Sequence, residues 1–466
     1  MFYYARFLFM SNQFRDFNLK EELLKNLEEL GFTKMTPIQE KSLPLALKGD
    51  DLIGQAKTGS GKTAAFSLGI LNDLKVKIQW PQALILCPTR ELAEQVAVEI
   101  RKLARMLKNV KVVTITGGTG YHHQESSLEH GAHIIVGTPG RVAKLIKTKF
   151  ISLREIKTFV LDEADRMLDM GFYDEIMGIE SLLSENRQTL LFSATFPEAI
   201  VRLSENVQRS ATMIKIDSLH EEGDILQHFY RLESHKDKNK SVLKLLGNYL
   251  PERTIIFCKT KVITKNLAKF LKDNGVLAEG IHGDLDQKDR TKVLTKFSNK
   301  SLSVLVATDV AARGLDIKDL AAVINYDLPM DSEDYVHRIG RTGRAGKKGL
   351  AFSFYLDPEE YRLEEISEIL KKDCVDSVLP EEKEFVIEPP MKTLFIAGGK
   401  KQKLRPGDIL GAMVKEAGLE PTDVGDISIL PISTYVAIKK EKINQAIQKL
   451  SNGKIKNRTF RVGHVD

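Results

Sequence analysis

Few cysteines and no long apolar run characterise this sequence of 466 residues. Its three cysteines, Cys87, Cys258 and Cys374, have neither the spacing of a disulfide framework nor that of a metal site, which indicates reduced thiols. No segment has the roughly 20 apolar residues that cross a bilayer. We therefore expect a cytoplasmic globular protein rather than a disulfide scaffold or an integral membrane protein.

The amino-terminal stretch FYYARFLF is apolar but too short to span a membrane. No small-residue cleavage site follows it, so it does not fit an export signal. Residues 1–9 match no later pattern. Our hypothesis is that they are not native and that translation starts at Met10.

A net positive charge is also lacking over most of the chain. The net charge is +6, but residues 392–466 carry 14 basic and 7 acidic side chains, a net of +7, which leaves −1 for residues 1–391. A small basic segment on a nearly neutral chain favours a polyanionic partner. A solvated basic surface is the alternative.

Two series of short apolar runs alternate with helical patterns between about residues 20 and 370. The first comprises residues 83–87, 133–137, 158–162 and 189–193, and the second comprises residues 254–258, 304–308, 321–326 and 350–355. Such runs predict parallel strands that are covered on both faces. We therefore expect two doubly wound α/β domains, at 14–206 and 219–371, with a hinge near 206–220.

A third pattern follows the acidic stretch 379–390, which ends in two prolines and predicts an extended linker. Beyond it the sequence predicts the order β-α-β-β-α-β, a split βαβ arrangement, over residues 392–466. This domain is expected to be small and of the α+β class. Short repeats and low-complexity tracts are absent.

The segment AKTGSGKT (56–63) has the pattern of a phosphate-binding loop between a strand and a helix. Gly59 and Gly61 allow the turn, which directs backbone N–H groups and the positive end of the helix at phosphate. Lys62 is then expected to reach the β- and γ-phosphates, and the Thr63 hydroxyl to bind Mg²⁺. A glycine-rich helix cap is the alternative, and the Gly-Lys-Thr ending disfavours it.

A second metal anchor is predicted in TFVLDEAD (158–165), an apolar strand that ends in two carboxylates. Asp162 is expected to hold Mg²⁺, and Glu163 to orient and deprotonate the attacking water. Phosphoryl transfer also needs positive charge, and the segment 337–346 offers it. Those arginines belong to the second α/β domain, so hydrolysis would require closure of the two domains.

In this order the motifs resemble those of the DEAD-box family of RNA helicases over roughly residues 14–370. The resemblance implies two RecA-like domains that use ATP, with Gln39 reading the adenine and Phe14 packing on it. It implies that Ser193 and Thr195 couple the acidic box to RNA. It assigns contact with the ribose to Asp316 and contact with RNA phosphate to Thr308. It also implies that Arg341 and Arg344 are the arginine fingers and that His337 belongs to the interdomain network.

The same resemblance implies RNA contacts in the first domain. The residues concerned are Thr89, Arg90, Gly117, Gly118, Thr138 and Arg141. Hydroxyls, arginines and backbone amides suit phosphate and 2′-OH groups, which carry no sequence information. The motor is therefore expected to act on RNA without sequence preference and to unwind it locally.

The tail resembles the RNA-binding domain of DbpA-type bacterial helicases, an RRM-like module. Phe395 and Tyr435 fall at stacking positions of the sheet, although Ser433 occupies a position that is normally aromatic. The alternative RNA surface is a basic loop that contains Lys400, Lys401, Lys403 and Arg405. Three further basic residues could extend this surface: Lys439, Lys440 and Arg461. Core packing of the two aromatic residues is a third interpretation, and the sequence does not choose among them.

The resemblance further implies a 23S ribosomal RNA hairpin as the tethering site, pre-50S particles as partners and large-subunit assembly as the setting. Two other hypotheses remain at this stage. A DNA translocase of the same superfamily is disfavoured by the segment around Gln39 and by the acidic box. An RNA-binding scaffold without activity is disfavoured by the intact Lys62, Asp162, Glu163 and the two finger arginines.

Overall fold

The computed structural model describes residues 12–56, 59–118, 120–216, 225–312, 315, 317, 320–343 and 348–465. Asp316, Arg344 and residues 1–10 lie outside these ranges. The chain divides into two units, one containing residues 1–219 and 314–316 and the other containing residues 220–313 and 317–466.

The first unit contains a seven-stranded sheet in the order β3-β4-β2-β5-β6-β1-β7, and every pairing is parallel. Its strands are β1 (Leu52–Gln55), β2 (Ala83–Leu86), β3 (Val112–Ile115), β4 (Ile134–Gly137), β5 (Thr158–Asp162), β6 (Gln188–Ser193) and β7 (Thr212–Lys215). β7 lies within the segment where we predicted the hinge. The predicted domain limits themselves stay predictions.

Helices cover both faces of this sheet: α1 (Glu21–Glu29), α2 (Pro37–Lys48), α3 (Lys62–Asp73), α4 (Arg90–Leu103), α5 (Tyr121–Glu129), α6 (Pro139–Lys147), α7 (Ala164–Asp169), α8 (Tyr173–Glu180) and α9 (Glu198–Val207). Alternate strand residues enter different apolar clusters. Leu52 and Ile85 belong to one cluster, and Ile53 and Leu84 belong to the other. Burial of both faces explains why these strands read as continuous apolar runs.

The second unit contains a six-stranded parallel sheet in the order β10-β11-β9-β12-β13-β8. Its strands are β8 (Ile225–Arg231), β9 (Thr254–Cys258), β10 (Ala278–Ile281), β11 (Val304–Thr308), β12 (Ala322–Asn325) and β13 (Gly349–Tyr355). The helices are α10 (Asp237–Tyr249), α11 (Lys261–Asp273), α12 (Gln287–Ser298), α13 (Asp309–Ala312), α14 (Ser332–Ile339) and α15 (Glu360–Leu370). The prediction of two parallel α/β domains is confirmed.

The same unit ends in a four-stranded antiparallel sheet in the order β15-β16-β14-β17. Its elements are β14 (Met391–Ile396), α16 (Pro406–Lys415), β15 (Val424–Ile429), β16 (Thr434–Lys439), α17 (Ile443–Asn452) and β17 (Val462–His464). Leu394, Val436, Met413 and Leu450 form its core, so both helices cover one face of the sheet. The predicted β-α-β-β-α-β order is confirmed.

The segment between these two sheets is extended, as predicted, and it is anchored along its length. We call residues 376–388 the strap. The Ser377 N–H donates to Phe229 O at 2.7 Å, and the Asn248 side chain donates to Glu381 O at 2.7 Å. Further on, Ile387 is 8% exposed and belongs to the core of the second α/β domain. None of the described helices is long and apolar enough to cross a membrane.

Gly54 in β1 should be indispensable to the first sheet. A Cβ atom there would lie 2.5 Å from a ring carbon of Phe192, which is fully buried and has no room to move. Gly54→Ala should lower the free energy of unfolding by about 1–3 kcal/mol through overpacking. Urea unfolding followed by the fluorescence of Trp80, the single tryptophan, reports on this unit.

The matched control is Gly178→Ala within α8, where no heavy atom lies within 4 Å of the added methyl group. That change should raise stability by about 0.5–1 kcal/mol, because alanine is the better helix former. Equal stability of the Gly54 variant and the parent protein would contradict the packing argument.

Candidate nucleotide and RNA sites

The polar motifs of the first unit follow the carboxyl ends of its strands. The phosphate loop follows β1, the acidic box ends β5, and the segment 193–195 ends β6; these three strands are neighbours in the sheet. The residues with predicted RNA contacts follow β2, β3 and β4, which are also neighbours. The strand order thus separates a nucleotide half from an RNA half along the edge where ligands bind in parallel sheets.

In the phosphate loop, Gly61 has a φ of +98° and caps the amino terminus of α3. Lys62 begins the helix, is 6% exposed, and donates from Nζ to Ala56 O at 2.8 Å. The ammonium group is thereby held over the loop, where the β- and γ-phosphates bind in loops of this type. Thr63 is half-buried in the next position, and Gly59 also has a positive φ.

Gln39 and Thr36 brace this loop from α2. The Gln39 side chain accepts from Thr36 N–H at 2.9 Å and donates to Gly61 O at 3.1 Å, and the Thr36 hydroxyl donates to Ser60 O at 2.7 Å. A side chain at Gly61 would collide with the Gln39 amide nitrogen at 2.5 Å. A change at Gln39 therefore acts directly on the phosphate loop.

The predicted contacts with the base are less evident. Phe14 is 4% exposed and packs edge-on against Phe32, with ring centroids 6.3 Å apart. Gln39 is 3% exposed. Adenine reading by Gln39 and stacking by Phe14 stay predictions.

Asp162 ends β5 as a buried carboxylate that is 3% exposed. Its Oδ1 atom has no hydrogen-bond partner among the described residues. Burial raises the pKa of Asp162 to about 6; the nearby Lys62 ammonium opposes this rise, and the Glu163 carboxylate adds to it. A buried carboxylate oxygen without a donor is what a hard cation such as Mg²⁺ requires, so the residue fits the predicted metal.

Glu163 follows with a left-handed backbone, φ +53°, and is 9% exposed. A non-glycine residue in this region is held there at an energetic cost, and such strain is concentrated at functional sites. The conformation turns the chain abruptly from β5 into α7. Both carboxylates thus lie at the carboxyl end of β5, in the nucleotide half of the edge.

Asp165 links the acidic box to the end of β6, and the sequence argument did not single it out. Its Oδ2 accepts from Ala194 N–H at 3.1 Å, from Thr195 N–H at 3.0 Å and from the Thr195 hydroxyl at 3.0 Å. Burial alone would raise the pKa of Asp165, but the hydrogen bond from Thr195 and the nearby Arg166 outweigh it, and the pKa is lowered.

The proposed coupling residues therefore differ in their contacts. The predicted link through Thr195 has a direct geometric basis in its bonds to Asp165. The Ser193 hydroxyl is buried and has no hydrogen-bond partner among the residues described, although Ser193 O accepts from Ala56 N–H at 3.0 Å. The coupling role of both stays a prediction.

On the RNA half, Arg90 packs against the predicted glycine pair. A Cβ atom at Gly118, where φ is +75°, would lie 1.8 Å from an Arg90 guanidinium nitrogen, and one at Gly117 would lie 3.3 Å from another. Glycine is therefore required at position 118 for this approach, whereas a side chain at position 117 would need only a small shift of Arg90. Thr89 caps α4 by accepting from Leu92 N–H at 3.3 Å.

Arg141 is placed by two residues that the sequence argument missed. Its guanidinium carbon lies 4.1 Å from the centroid of the Tyr121 ring, and it donates to Gln124 Oε1 at 3.4 Å. Gln124 in turn donates to Thr116 O at 2.7 Å. Thr138 begins the turn into α6, so the loops after β3 and β4 are joined at this end.

The second unit contains a buried arginine that ties two motifs together. Arg338 is 3% exposed and donates to both carboxylate oxygens of Asp309, at 2.7 and 2.6 Å. It also donates to Asn325 Oδ1 at 3.0 Å and to Asp327 O at 2.7 Å. Asp309 directly follows Thr308, so Arg338 positions the turn with the predicted RNA contact. Arg338 lies in the basic segment 337–346, but the sequence argument gave it no role of its own.

Two other predicted residues of this region, Arg341 and His337, are half-buried at the end of α14. Arg341 O accepts from Leu320 N–H at 3.2 Å, which fixes the turn that precedes the glycine-rich segment. Arg344 and Asp316 lie outside the described residues. The finger, ribose and network roles stay predictions.

In the tail, Phe395 and Tyr435 lie side by side on the sheet face opposite the helices, with ring centroids 5.7 Å apart. Tyr435 is only 7% exposed and Phe395 is half-buried. Nearby on the same face, Thr393 is 2% exposed, and its hydroxyl accepts from the Asn299 side chain at 3.0 Å. The second α/β domain thus covers part of the face on which stacking was predicted.

The alternative basic surface is open. Lys400, Lys401, Lys403 and Arg405 are all exposed around a 3₁₀ turn. Lys456, which the sequence argument missed, donates to Lys403 O at 2.9 Å and so brings residues 454–461 beside this turn. By contrast, Lys439 is paired with Asp423 at 2.9 Å and Lys440 with Glu388 at 2.6 Å. Arg461 is exposed.

Three family models match the chain: "DEAD/DEAH box helicase" at residues 36–203, "Helicase conserved C-terminal domain" at 237–346 and "DbpA RNA binding domain" at 393–464. The ATP-dependent RNA helicase DbpA of Escherichia coli K12 is 48% identical over 94% of this chain and 96% of its own. The chain belongs to the DEAD-box family of ATP-dependent RNA helicases.

Other relatives agree with this assignment. A DEAD-box helicase of Geobacillus kaustophilus, CshA, is 44% identical over 92% of this chain and 95% of its own. Among solved structures, yeast Dbp5 bound to RNA and ADP-BeF₃ matches with a TM-score of 0.70 and 35% identity over 77% of this chain and 93% of that one. This DEAD-box helicase is therefore an RNA-dependent ATPase with an additional RNA-binding domain.

The raised pKa of Asp162 should be measurable as a pH-dependent cost in stability. A folded pKa of about 6 exceeds the unfolded value of about 3.9, so stability falls as pH rises between these values. Asp162→Asn should therefore raise the free energy of unfolding by on the order of 3 kcal/mol at pH 8 and about half of that at pH 5.

Urea unfolding without nucleotide and metal, again followed by Trp80 fluorescence, measures this difference. Asp169→Asn is the control, since its carboxylate is half-exposed and forms an ion pair with Arg166 on the same helix. If the variant exceeds the parent protein in free energy of unfolding by the same amount at both pH values, the charge of Asp162 does not destabilise the fold.

Proposed function

We propose that this DEAD-box helicase hydrolyses ATP with Mg²⁺ at the phosphate loop and acidic box. It remodels RNA while its tail holds structured 23S ribosomal RNA during large-subunit assembly in the cytoplasm. The observation that carries the catalytic part is the adjacency of β5, β6 and β1, whose ends bear the acidic box, the 193–195 segment and the phosphate loop. The open basic turn of the DbpA-type domain carries the tethering part.

In the catalytic step, Lys62 and the backbone N–H groups at the start of α3 neutralise the β- and γ-phosphates. Thr63 and Asp162 would hold Mg²⁺, which would supply positive charge to neutralise the phosphates when bound. Glu163 accepts the proton of the attacking water. Arg341 and Arg344 add positive charge to the transition state, which requires the two α/β domains to close.

RNA enters the reaction through its backbone. Arg90 with the glycine pair, Arg141 with Tyr121, and Thr308 next to the Asp309–Arg338 bond offer donors that suit phosphate and 2′-OH groups. Such contacts do not select a sequence. Selection is therefore left to the tail.

The names of the relatives support a motor that acts on RNA, and the identity of the bound RNA is part of the proposal. The E. coli relative is named as an RNA helicase, and the yeast structure contains RNA and ADP-BeF₃. A 23S hairpin and pre-50S particles as partners rest on the resemblance of the tail to DbpA-type domains. The half-covered sheet face favours the basic turn as the RNA-reading surface.

Glu163→Gln should separate nucleotide binding from hydrolysis. The amide keeps the size of the side chain but loses the basic oxygen, so ATP and RNA should still bind while turnover falls by about 10²–10⁴-fold. RNA-stimulated ATPase rates, with ATP binding measured by a fluorescent analogue, test this. Glu185→Gln, at an exposed surface site, is the control. Turnover by the Glu163 variant at the parental rate would exclude it as the base.

Charge removal at the basic turn should abolish selectivity. The variant carries Gln at Lys400, Lys401, Lys403 and Arg405, and the control carries Gln at the ion-paired Lys439 and Lys440. ATPase stimulation by fragments of a 23S rRNA transcript is compared with that by scrambled RNAs. The turn variant should keep its maximal rate on any RNA but lose its preference for one fragment, and its salt slope should fall by roughly 0.7–0.9 per lost phosphate contact.

A deletion of residues 392–466 should likewise keep the maximal ATPase rate and lose the preference for one fragment. The motor should still fold, because the deletion leaves the strap on the motor domain. Phe395→Ala with Tyr435→Ala should have a smaller effect than the turn variant. If the deletion leaves discrimination between fragments unchanged, the tail does not select RNA. If only the aromatic variant loses discrimination, the sheet face is the RNA-reading surface.

A further inference from the structure

Helix α11 of the second unit presents a row of lysines that the motor motifs do not include. Its lysines stand at positions 261, 265, 269 and 272, and all four are exposed. At 100° per residue they fall within about 80° of arc, and each step along the row rises by about 5–6 Å. The opposite side of the helix is buried through Thr264, Leu267, Ala268 and Leu271.

The charge of this row is a property of α11 rather than of the domain. The helix contains one acidic residue, Asp273, at its last position. Helix α15 of the same domain carries instead four glutamates, at positions 360, 364, 365 and 368. A uniformly basic surface therefore does not explain the row, which we call the lysine row: Lys261, Lys265, Lys269 and Lys272.

One end of the lysine row lies at the edge of the sheet that carries the predicted RNA contact. Lys261 and Lys265 donate to the two carboxylate oxygens of Asp284, at 2.9 and 3.0 Å, just beyond the end of β10. β10 pairs with β11 through Ile281 and Ala307, and Thr308 follows directly. The row thus starts beside the strand end that bears Thr308.

The other end reaches the tail. Lys272 lines a cavity of about 380 Å³ between the second α/β domain and the RNA-binding domain. Lys392, Thr393 and His464 form the wall on the tail side, and the Ser301 hydroxyl in the same lining is buried without a hydrogen-bond partner among the described residues. From Lys261 to Lys272 the helix rises by about 16 Å.

The charges along the row are unequal. Asp284 compensates part of the charge of Lys261 and Lys265, and in the cavity Glu279 is paired with Lys296. Lys269, Lys272 and Lys392 have no carboxylate within 4 Å in the described part of the chain. The end of the row nearest the tail therefore lacks the ion pairs that Lys261 and Lys265 form with Asp284.

We propose that the lysine row and Lys392 bind the phosphodiester backbone of an RNA strand that runs from the tail-bound RNA to the end of β11 that bears Thr308. This inference rests on the proposed tethering function. Closely spaced lysines fit a phosphate backbone rather than bases, since Phe270, the aromatic residue of α11, packs against the core of the domain. The row makes the second α/β domain the bridge between the RNA that is selected and the RNA that is remodelled.

The test compares two probes: the 23S rRNA fragment that the parent protein prefers, and the same fragment with a ten-nucleotide single-stranded oligouridine extension at either end. The full-length variant Lys269→Gln/Lys272→Gln removes the two unpaired charges of the row. The matched control is Lys240→Gln/Lys244→Gln on α10, a second pair of lysines one helical turn apart, with no carboxylate partner among the described residues. Binding is measured by fluorescence anisotropy over a series of salt concentrations.

The parent protein should bind one extended probe more tightly than the unextended probe. The row variant should lose that gain, and its salt slope on the extended probe should fall by about 1.4, corresponding to two single-strand phosphate contacts. Its ATPase stimulation by the unextended fragment should be unchanged. The control variant should retain the gain.

Three results would overturn the proposal: no gain for either extension in the parent protein, an unchanged gain in the row variant, or an equal loss in the control variant. In each of these cases, discrimination between the fragment and scrambled RNA would leave the tethering function standing. Absence of that discrimination in the parent protein would refute tethering itself, and the lysine row proposal with it.

Discussion

All strands of each α/β sheet run in the same direction, and this constraint determines where ligands can bind. Parallel strands place all their carboxyl ends at one edge, so residues distant in sequence become neighbours there. The order β3-β4-β2-β5-β6-β1 then divides that edge into an RNA half and a nucleotide half. In the strand order, β2 and β5 are the neighbours at which the two halves meet, so rearrangement at one half has a short path to the other.

Within the nucleotide half, two aspartates three residues apart illustrate how the environment sets the charge. Asp162 and Asp165 are both almost fully buried. Asp165 receives three hydrogen bonds from the end of β6 and stays readily ionised, whereas Asp162 Oδ1 receives none from the described residues. One carboxylate is thus satisfied by the fold and acts as a structural link. The other carboxylate can be paired by a ligand. This favours ligand binding and lowers the stability of the protein without ligand.

The sequence sufficed for the elements and their order, because buried parallel strands leave long apolar runs and the phosphate loop has a strict pattern. It did not reveal Asp165 as the partner of Thr195, Arg338 as the partner of Asp309, or Lys456 beside the basic turn. Those contacts join segments about 30 to 50 residues apart, and their partners depend on how loops meet in space. The sequence also could not choose between the sheet face and the turn, since coverage of Thr393 by Asn299 depends on docking between domains.

The strap has a consequence for how such helicases exchange parts. Because Ile387 completes the core of the second α/β domain and the backbone around Ser377 and Glu381 is hydrogen-bonded to that domain, the strap is structurally part of the motor. A recombination joint placed before residue 376 would remove apolar contacts from the motor and expose part of its core. A joint between Glu388 and Met391 would transfer the RNA-binding domain intact. Modularity in this protein therefore begins at the two prolines, not where the last helix of the motor ends.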